Sequence, residues 1–273
     1  MNTLQTKNFY DELDDYDLNE DGKPRHPFTS PKKINKRDAA MIKAQDDSRA
    51  SFKFTYKAAR FEEWWLLDSL GDLYEHQWIS DVLARVKGGK EASVYLCKPG
   101  SAVGDDRFVA AKVYRPRSLR NLKNDQQYRD GRDDLNEDGN TLFKEADVHA
   151  MQKRSSYGEE LRHQSWIAHE FVTLEKLFEA GADVPKPFAM TKNAILMDFI
   201  GDRAGTAPTL NEINLDRDEA RDLFDRSVWN IDLLLAHKVI HGDLSAYNIL
   251  FWDGEIKLID FPQIVSPEGN RNA

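Results

Sequence analysis

Three residues near the end of the chain have the types and spacing that phosphoryl-transfer chemistry needs. Asp243 follows His241–Gly242, Asn248 comes five positions later, and Asp260 lies between Ile259 and Phe261. Two short apolar runs flank Asp253–Gly254, a dipeptide that tolerates the positive φ angles of a tight hairpin turn. A turn centred there sets Leu250 opposite Lys257 and Asn248 opposite Ile259. Asn248 and Asp260 then meet at one end of a hairpin, as an amide and a carboxylate suited to Mg2+. Asp243, in the loop just before, is placed to take a proton from an attacking hydroxyl. A base, an amide metal ligand and a carboxylate metal ligand in that chain order form a phosphoryl-transfer arrangement. The bland alternative is a polar hairpin with a capping aspartate. Against it stand further elements placed where such a site requires them.

The 273 residues suffice for one large domain or for two lobes with a tail. No apolar run approaches membrane-spanning length and the N-terminus lacks a signal-peptide pattern, so no membrane partner is expected. Cys97 is the single cysteine, which excludes an internal disulfide and a cysteine-rich zinc site and suits a reducing cytoplasm. A net charge of −9 argues against nucleic-acid binding by the whole surface, and leaves a local basic patch open.

The elements that must position these residues can be followed along the chain. Residues 1–50 read as a disordered or extended tail, acidic over 11–21 and basic over 23–43, with too little apolar surface to offset ordering entropy. The basic half offers a contact for RNA or an acidic partner, or is a solvated linker. Trp64, Trp65 and Leu67 suggest a helix beginning near Phe61, with a second helix over about 73–83. Residues 82–87 and 91–97 read as strands joined by Gly88–Gly89–Lys90, where glycines let a backbone approach phosphates. A third strand, 108–114, carries Lys112 in an apolar run, where a lysine needs a charged partner.

Residues 116–157 are crowded with Asp, Arg, Asn and Gly and form a long connection, of the kind that is functional or disordered. A helix over about 158–180 follows, with Gly181 just beyond it and Ile167, Phe171, Leu174 and Phe178 as its buried stripe. Glu170 lies on a neighbouring face and is the candidate partner of Lys112; a solvent-facing glutamate is the alternative. Residues 187–190 and 194–200 make another hairpin. A helix then begins with the capping-box pattern of Asp216 and Glu219. Leu223, Phe224, Val228, Ile231, Leu234 and Leu235 give it a long apolar face and it delivers the chain to His241.

Six segments together resemble the RIO-type atypical protein kinases: GGKEASVY at 88–95, VAAKVYR at 109–115, VPKP at 184–187, LMDFIGD at 196–202, HGDLSAYNIL at 241–250 and LIDFPQ at 258–263. The resemblance implies an α+β, bilobal protein-kinase-like fold with a small antiparallel-sheet N-lobe and a reduced, mostly helical C-lobe. The lobes would span 51–200, including the flexible insert 116–157, and 201–273. It also implies serine/threonine kinase or ATPase activity with ATP and Mg2+ (or Mn2+), and in many members a role in ribosome assembly. Lys112 then resembles the phosphate lysine, Glu170 its helix partner, Asp243 the catalytic aspartate, and Asn248 with Asp260 the metal ligands. Gly88, Gly89, Lys90 and Ser93 fall in the phosphate-covering loop, and Met197, Asp198 and Ile200 in the hinge.

The chain departs from ordinary protein kinases. Its glycine loop is not G-x-G-x-x-G, and Pro262 replaces the glycine of D-F-G. Thirteen residues follow Asp260, too few for an activation segment, and the resemblance implies at least one further helix beyond. Two other functions stay open. Aminoglycoside- and choline-type small-molecule kinases share the H-G-D-x₄-N pattern, and an ATP-gated assembly factor could bind nucleotide without relevant turnover. A mobile charged insert tethered beside the cleft makes Thr141, Ser155 and Ser156 candidate autophosphorylation sites.

Overall fold

The computed structural model describes residues 52–89, 91–105, 107–115, 134–136, 139–141, 145–153 and 155–267. The expected tail, Lys90 and residues 116–133 lie outside these. Helix α1 (Arg60–Glu75) leads into a five-stranded antiparallel sheet. Its strands are β1 (Ile79–Gly88), β2 (Ala92–Pro99), β3 (Val109–Tyr114), β4 (Pro187–Met190) and β5 (Ala194–Asp198), in the order β1-β2-β3-β5-β4. The central strand β3 is buried on both faces. Its odd residues Val109, Ala111 and Val113 join Leu66, Leu70 and Leu73 of α1 in one core. The intervening Lys112 and Tyr114 point the other way, as the period of two requires.

Helix α3 (Ser156–Glu179) covers that second face and follows a shorter helix, α2 (Glu145–Gln152). Trp166, Ile167 and Phe171 pack with Tyr114 and Ile195, whereas Leu174 and Leu177 belong to a separate lower core. That core is completed by α4 (Arg217–Ala236) and the hairpin of β8 (Ile249–Trp252) and β9 (Glu255–Leu258), with Leu223, Leu234, Ile256, Leu258 and Phe261 at its centre. Two-residue strands β6 (Gly201–Asp202) and β7 (Gly205–Thr206) lie between the two cores in sequence.

Four expectations need correction. The second N-terminal helix does not exist: Leu73 belongs to α1, and the chain is already in β1 from Ile79. The helical reading failed because Ile79, Val82 and Leu83 fit a bulged strand as well as a helix. Part of 116–157 is ordered, because α2 lies within it and Leu135 is buried with its N–H donating to the Ser165 hydroxyl at 2.9 Å. Phe178 is 39% exposed, since the last turns of α3 pack on the lower core and turn its buried stripe to Leu177. In α4 only Leu223, Asn230 and Leu234 are buried, and Phe224, Val228, Ile231 and Leu235 are exposed. The helix rests on one narrow stripe, so four of the six expected apolar residues have no cover among the described residues.

The cap on α4 is as expected: Asp216 accepts from the N–H groups of Asp218 and Glu219, and Glu219 accepts in return from Asp216. Asp183 ties this helix to the sheet hairpin. Its carboxylate accepts a two-pronged interaction from Arg226 and a bond from buried Asn230 at 2.7 Å, while its carbonyl accepts from the Leu258 N–H at 2.7 Å. Burial alone would raise its pKa, but the hydrogen bonds from Arg226 and Asn230 prevail and hold the carboxyl below its ordinary value. Asp183→Ala leaves the Asn230 amide without that acceptor, so it should cost about 1–3 kcal/mol in denaturant unfolding at neutral pH. The difference from wild type should be full above the unfolded value of about 3.9 and shrink as the pH falls through the lower folded value. Equal stability of both proteins at pH 7 would contradict this account.

Candidate active site

Lys112 sits between two carboxylates. Its Nζ lies 2.6 Å from Glu170 Oε1 and 2.6 Å from Asp260 Oδ1. Three elements meet in these contacts: β3, α3 and the residue just beyond β9. Glu170 presents its second oxygen to the Tyr114 hydroxyl, two positions along β3 on the same face as Lys112. Burial disfavours the ammonium charge, but Asp260 and Glu170 outweigh burial and raise the lysine pKa above its ordinary value. The same pairing works in reverse on Asp260, which is half-exposed and whose carboxyl Lys112 holds below the ordinary carboxylate range. The lysine is therefore cationic and Asp260 anionic at neutral pH.

The backbone places Asp260 as much as the pairing does. Asp253 and Gly254 have φ angles of 53° and 83°, the tight turn that the dipeptide demands. Leu250 pairs with Lys257, and the Ile259 N–H donates to the Asn248 carbonyl at 3.0 Å. Asp260 then leaves the strand at φ 71°, in the left-handed region that aspartate enters more readily than most side chains. Phe261 is fully buried against the His241 ring, 4.6 Å between centroids, and the Pro262 carbonyl accepts from Trp166 on α3 at 3.2 Å. The residues after Asp260 are thereby joined to the helix that carries Glu170.

Asn248 bridges to Asp243. Its amide nitrogen donates to the Asp243 carbonyl at 2.9 Å and to Asp243 Oδ2 at 3.1 Å. That orientation leaves Asn248 Oδ1 as its free oxygen face. Asp243 itself is exposed. Gly242, at φ 80°, passes so close to the Gln263 carbonyl that a Cβ would stand 2.2 Å from its oxygen, so only glycine fits.

His241 is the part that spacing did not single out, although it heads the motif. Its Nδ1 accepts from the Asp243 N–H at 3.3 Å, so the proton belongs on Nε2, which donates to the Ile259 carbonyl at 3.1 Å. One neutral ring thus ties the Asp243 loop to the strand before Asp260. Burial lowers its pKa against the pull of its neighbours. The ring should titrate below the free value of about 6.5, with stability highest above that value and declining as the pH falls toward the folded one. Observing the His241 ring protons by NMR checks this, and a midpoint at or above 6.5 would count against it.

Lys112, Glu170, Asp260, Asn248, Gly89, Met197, Asp198 and Ile200 line one cavity of about 610 Å³. Its size suits a nucleotide-sized ligand. Burial raises the carboxyl pKa of Asp198, whose oxygen lies 3.5 Å from Arg107. Gly88 neighbours the wall without lining it, and Lys90 is outside the described residues. Ser93 is on the wrong face: it pairs with Val113, whose side chain packs on the α1 side, and it is buried away from the cavity. Glu212 also lines the cavity, from a short 3-10 turn in which it accepts from Thr209. Its local signal is the capping-box spacing Thr209-x-x-Glu212, which marks the turn but not the cavity. Of the candidate phosphorylation sites, Ser155 caps α3 by accepting from the Gly158 N–H at 3.0 Å, and Thr141 pairs with Leu135.

An antiparallel-sheet lobe and a mostly helical lobe, with a lysine–glutamate pair above a loop aspartate and a metal-type Asn/Asp pair, define the class: a protein-kinase-like fold. The family is narrower. The family model described as "RIO domain" matches residues 93–273, and the chain belongs to that family. It is 31% identical over 181 residues to the RIO-type serine/threonine-protein kinase Rio1 of Haloferax volcanii, covering 66% of this chain and 54% of the relative. To the serine/threonine-protein kinase RIO1 of Caenorhabditis elegans it is 28% identical over 187 residues, covering 67% of this chain and 32% of the relative. The chain thus spans about half, or less, of the length of these relatives.

Among solved structures, the Rio2 kinase of Chaetomium thermophilum matches with a TM-score of 0.51 and 20% identity, over 85% of this chain and 64% of that one. A structure of the same kinase described as an ADP/Mg2+-phosphoaspartate complex matches with a TM-score of 0.50 and 19% identity, over 84% and 63%. At that identity the likeness concerns the fold. No helix among the described residues is long and apolar enough to cross a membrane.

Proposed function

We propose that this chain transfers the γ-phosphoryl group of ATP, with Mg2+, to a serine or threonine hydroxyl of a protein. The observation that carries the reading is Lys112 held 2.6 Å from both Glu170 and Asp260 on the wall of a nucleotide-sized cavity. Lys112 would hold the phosphate chain, and Glu170 would fix the direction of its ammonium. Met197, Asp198 and Ile200 would border the base. Glu212 offers a carboxylate for ribose hydroxyls. Asp243 would orient the attacking hydroxyl and take its proton.

The donor set fits Mg2+: Asp260 is anionic, and Asn248 keeps a carbonyl oxygen uncommitted because its nitrogen is spent on Asp243. Among the described residues no cluster of three His, Cys, Asp or Glu could hold a metal alone. That accords with an ion which keeps waters and takes phosphate oxygens beside one or two side chains. When bound, the ion would neutralise charge developing on the phosphates. Mn2+ has the same ligand taste.

A second reading places the phosphoryl group on an aspartate, from which water takes it as free phosphate, which would make the protein an ATPase. The phosphoaspartate in the related Rio2 structure favours it, and so does the exposure of Asp243. A role in ribosome assembly, with the basic residues 23–43 as the contact to RNA, extends the proposal on family grounds.

Thermal unfolding tests the core of the reading. A ligand selective for the folded state at a hundredfold excess over Kd should stabilise by about 2.7 kcal/mol, so Mg2+ with ATP should raise the Tm. Asp260→Ala should abolish the Mg2+-dependent part of that rise. The absence of any shift at millimolar nucleotide, in folded protein, would remove the kinase reading.

A further inference from the structure

Lys87 stands immediately before the Gly88–Gly89 turn, and a bulge sets the face it occupies. Arg85 pairs with Tyr95 and Lys87 with Val94, so β1 carries one residue more than β2 between the two pairs. In a regular strand Lys87 would share the face of Arg85, whose guanidinium lies 3.7 Å from Glu62 on the α1 side. The extra residue turns Lys87 over. It comes opposite Val94, which is itself opposite Lys112, and all three line the cavity. Three cross-strand neighbours on one face put the two lysine Cα atoms about 10 Å apart, two strand spacings.

The charges in the cavity make this position matter. Among the described residues Lys112 is the other cation on its wall, and it is already matched by Glu170 and Asp260. Glu91 and Glu212 line the same space. With Lys112 already balanced by two carboxylates, a polyphosphate gains from a further cation on this wall. Lys87 is exposed and enters no ion pair among the described residues. After the Thr209 hydrogen bonds, the charge of Lys87 also favours the ionised form of Glu212 on the same wall.

We infer that Lys87 is a second cationic contact for the phosphate chain of the bound nucleotide, placed on the cleft face by the β1 bulge. The inference rests on the ATP-binding reading above. It deepens that reading by adding a residue that selects for phosphates and not for the base.

Binding of ATP, ADP and adenosine to the full chain, compared between wild type, Lys87→Ala and Lys87→Arg, tests it. Lys87→Ala should weaken ATP and ADP by about tenfold, the scale of one charge-assisted phosphate contact, and leave adenosine unchanged. Lys87→Arg should stay near wild type for all three. Wild-type affinity for ATP in Lys87→Ala would overturn the inference and leave the kinase reading standing. So would an equal loss for adenosine, which would mark Lys87 as a wall of the pocket. Failure of the wild-type protein to bind any of the three would overturn the kinase reading itself, and this inference with it.

Discussion

Asp243→Asn should keep nucleotide affinity within a few-fold of wild type while phosphoryl transfer falls by roughly 10²–10⁴, the usual contribution of a general acid–base group. The structure makes this a clean separation. Asp243 is exposed and is held by its N–H to His241 and by the Asn248 amide, which donates to its carbonyl and to Oδ2. An asparagine in its place keeps an oxygen for that amide and keeps the backbone bonds, so the loop need not move. What it loses is the ability to take a proton or to accept a phosphoryl group. Labelled ATP measures both. Label on serine or threonine survives acid, whereas an aspartyl phosphate is released by hydroxylamine, and either should vanish in the variant. Turnover at the wild-type rate would make Asp243 a structural cap and end its assignment.

Lys112→Met should destabilise the folded protein by about 3–5 kcal/mol, the cost of stranding a buried charge by removing its partner. Methionine has similar length and fills the space, so packing contributes little to the loss. Glu170 is 3% exposed and would keep only the Tyr114 hydroxyl, while Asp260 is half-exposed and can turn to water. Most of the cost therefore falls on Glu170. Lys112→Met with Glu170→Gln should recover part of it, as coupled neighbours do in a double-mutant cycle. Denaturant unfolding of the four proteins at pH 7 decides the matter. Strictly additive losses would show that the pair carries no coupling and that Lys112 is held by Asp260 alone.

Much of the site was written in the sequence because its geometry is local. The Asp253–Gly254 turn admits few conformations, so the register of Leu250 against Lys257 and the nearness of Asn248 to Asp260 follow from counting residues. The capping box at Asp216 is likewise a contact across three residues. Lys112 in an apolar strand demanded an acid, and Glu170 was found 58 positions away as its partner. Period two within β3 would also have marked Tyr114.

What only the tertiary structure decided lies where two distant segments choose a face or a partner. Ser93 falls on the α1 side because its partner in β3 is Val113, and a one-residue bulge in β1, invisible in composition, turns Lys87 to the opposite face from Arg85. Residues 79–83 have the apolar content of either helix or strand, and pairing with β2 settled it. Four of the six apolar residues on the expected face of α4 stayed exposed, since periodicity shows which residues share a face but not what packs there. The link from Trp166 to the Pro262 carbonyl and the arrival of Glu212 at the cavity depend on chain crossings with no local trace. The sequence by itself determined the hairpin that brings Asn248 and Asp260 together, since those energies lie within a few residues. The face each strand turns to the cleft was left to the tertiary structure, because only burial against distant elements separates otherwise near-equal local alternatives.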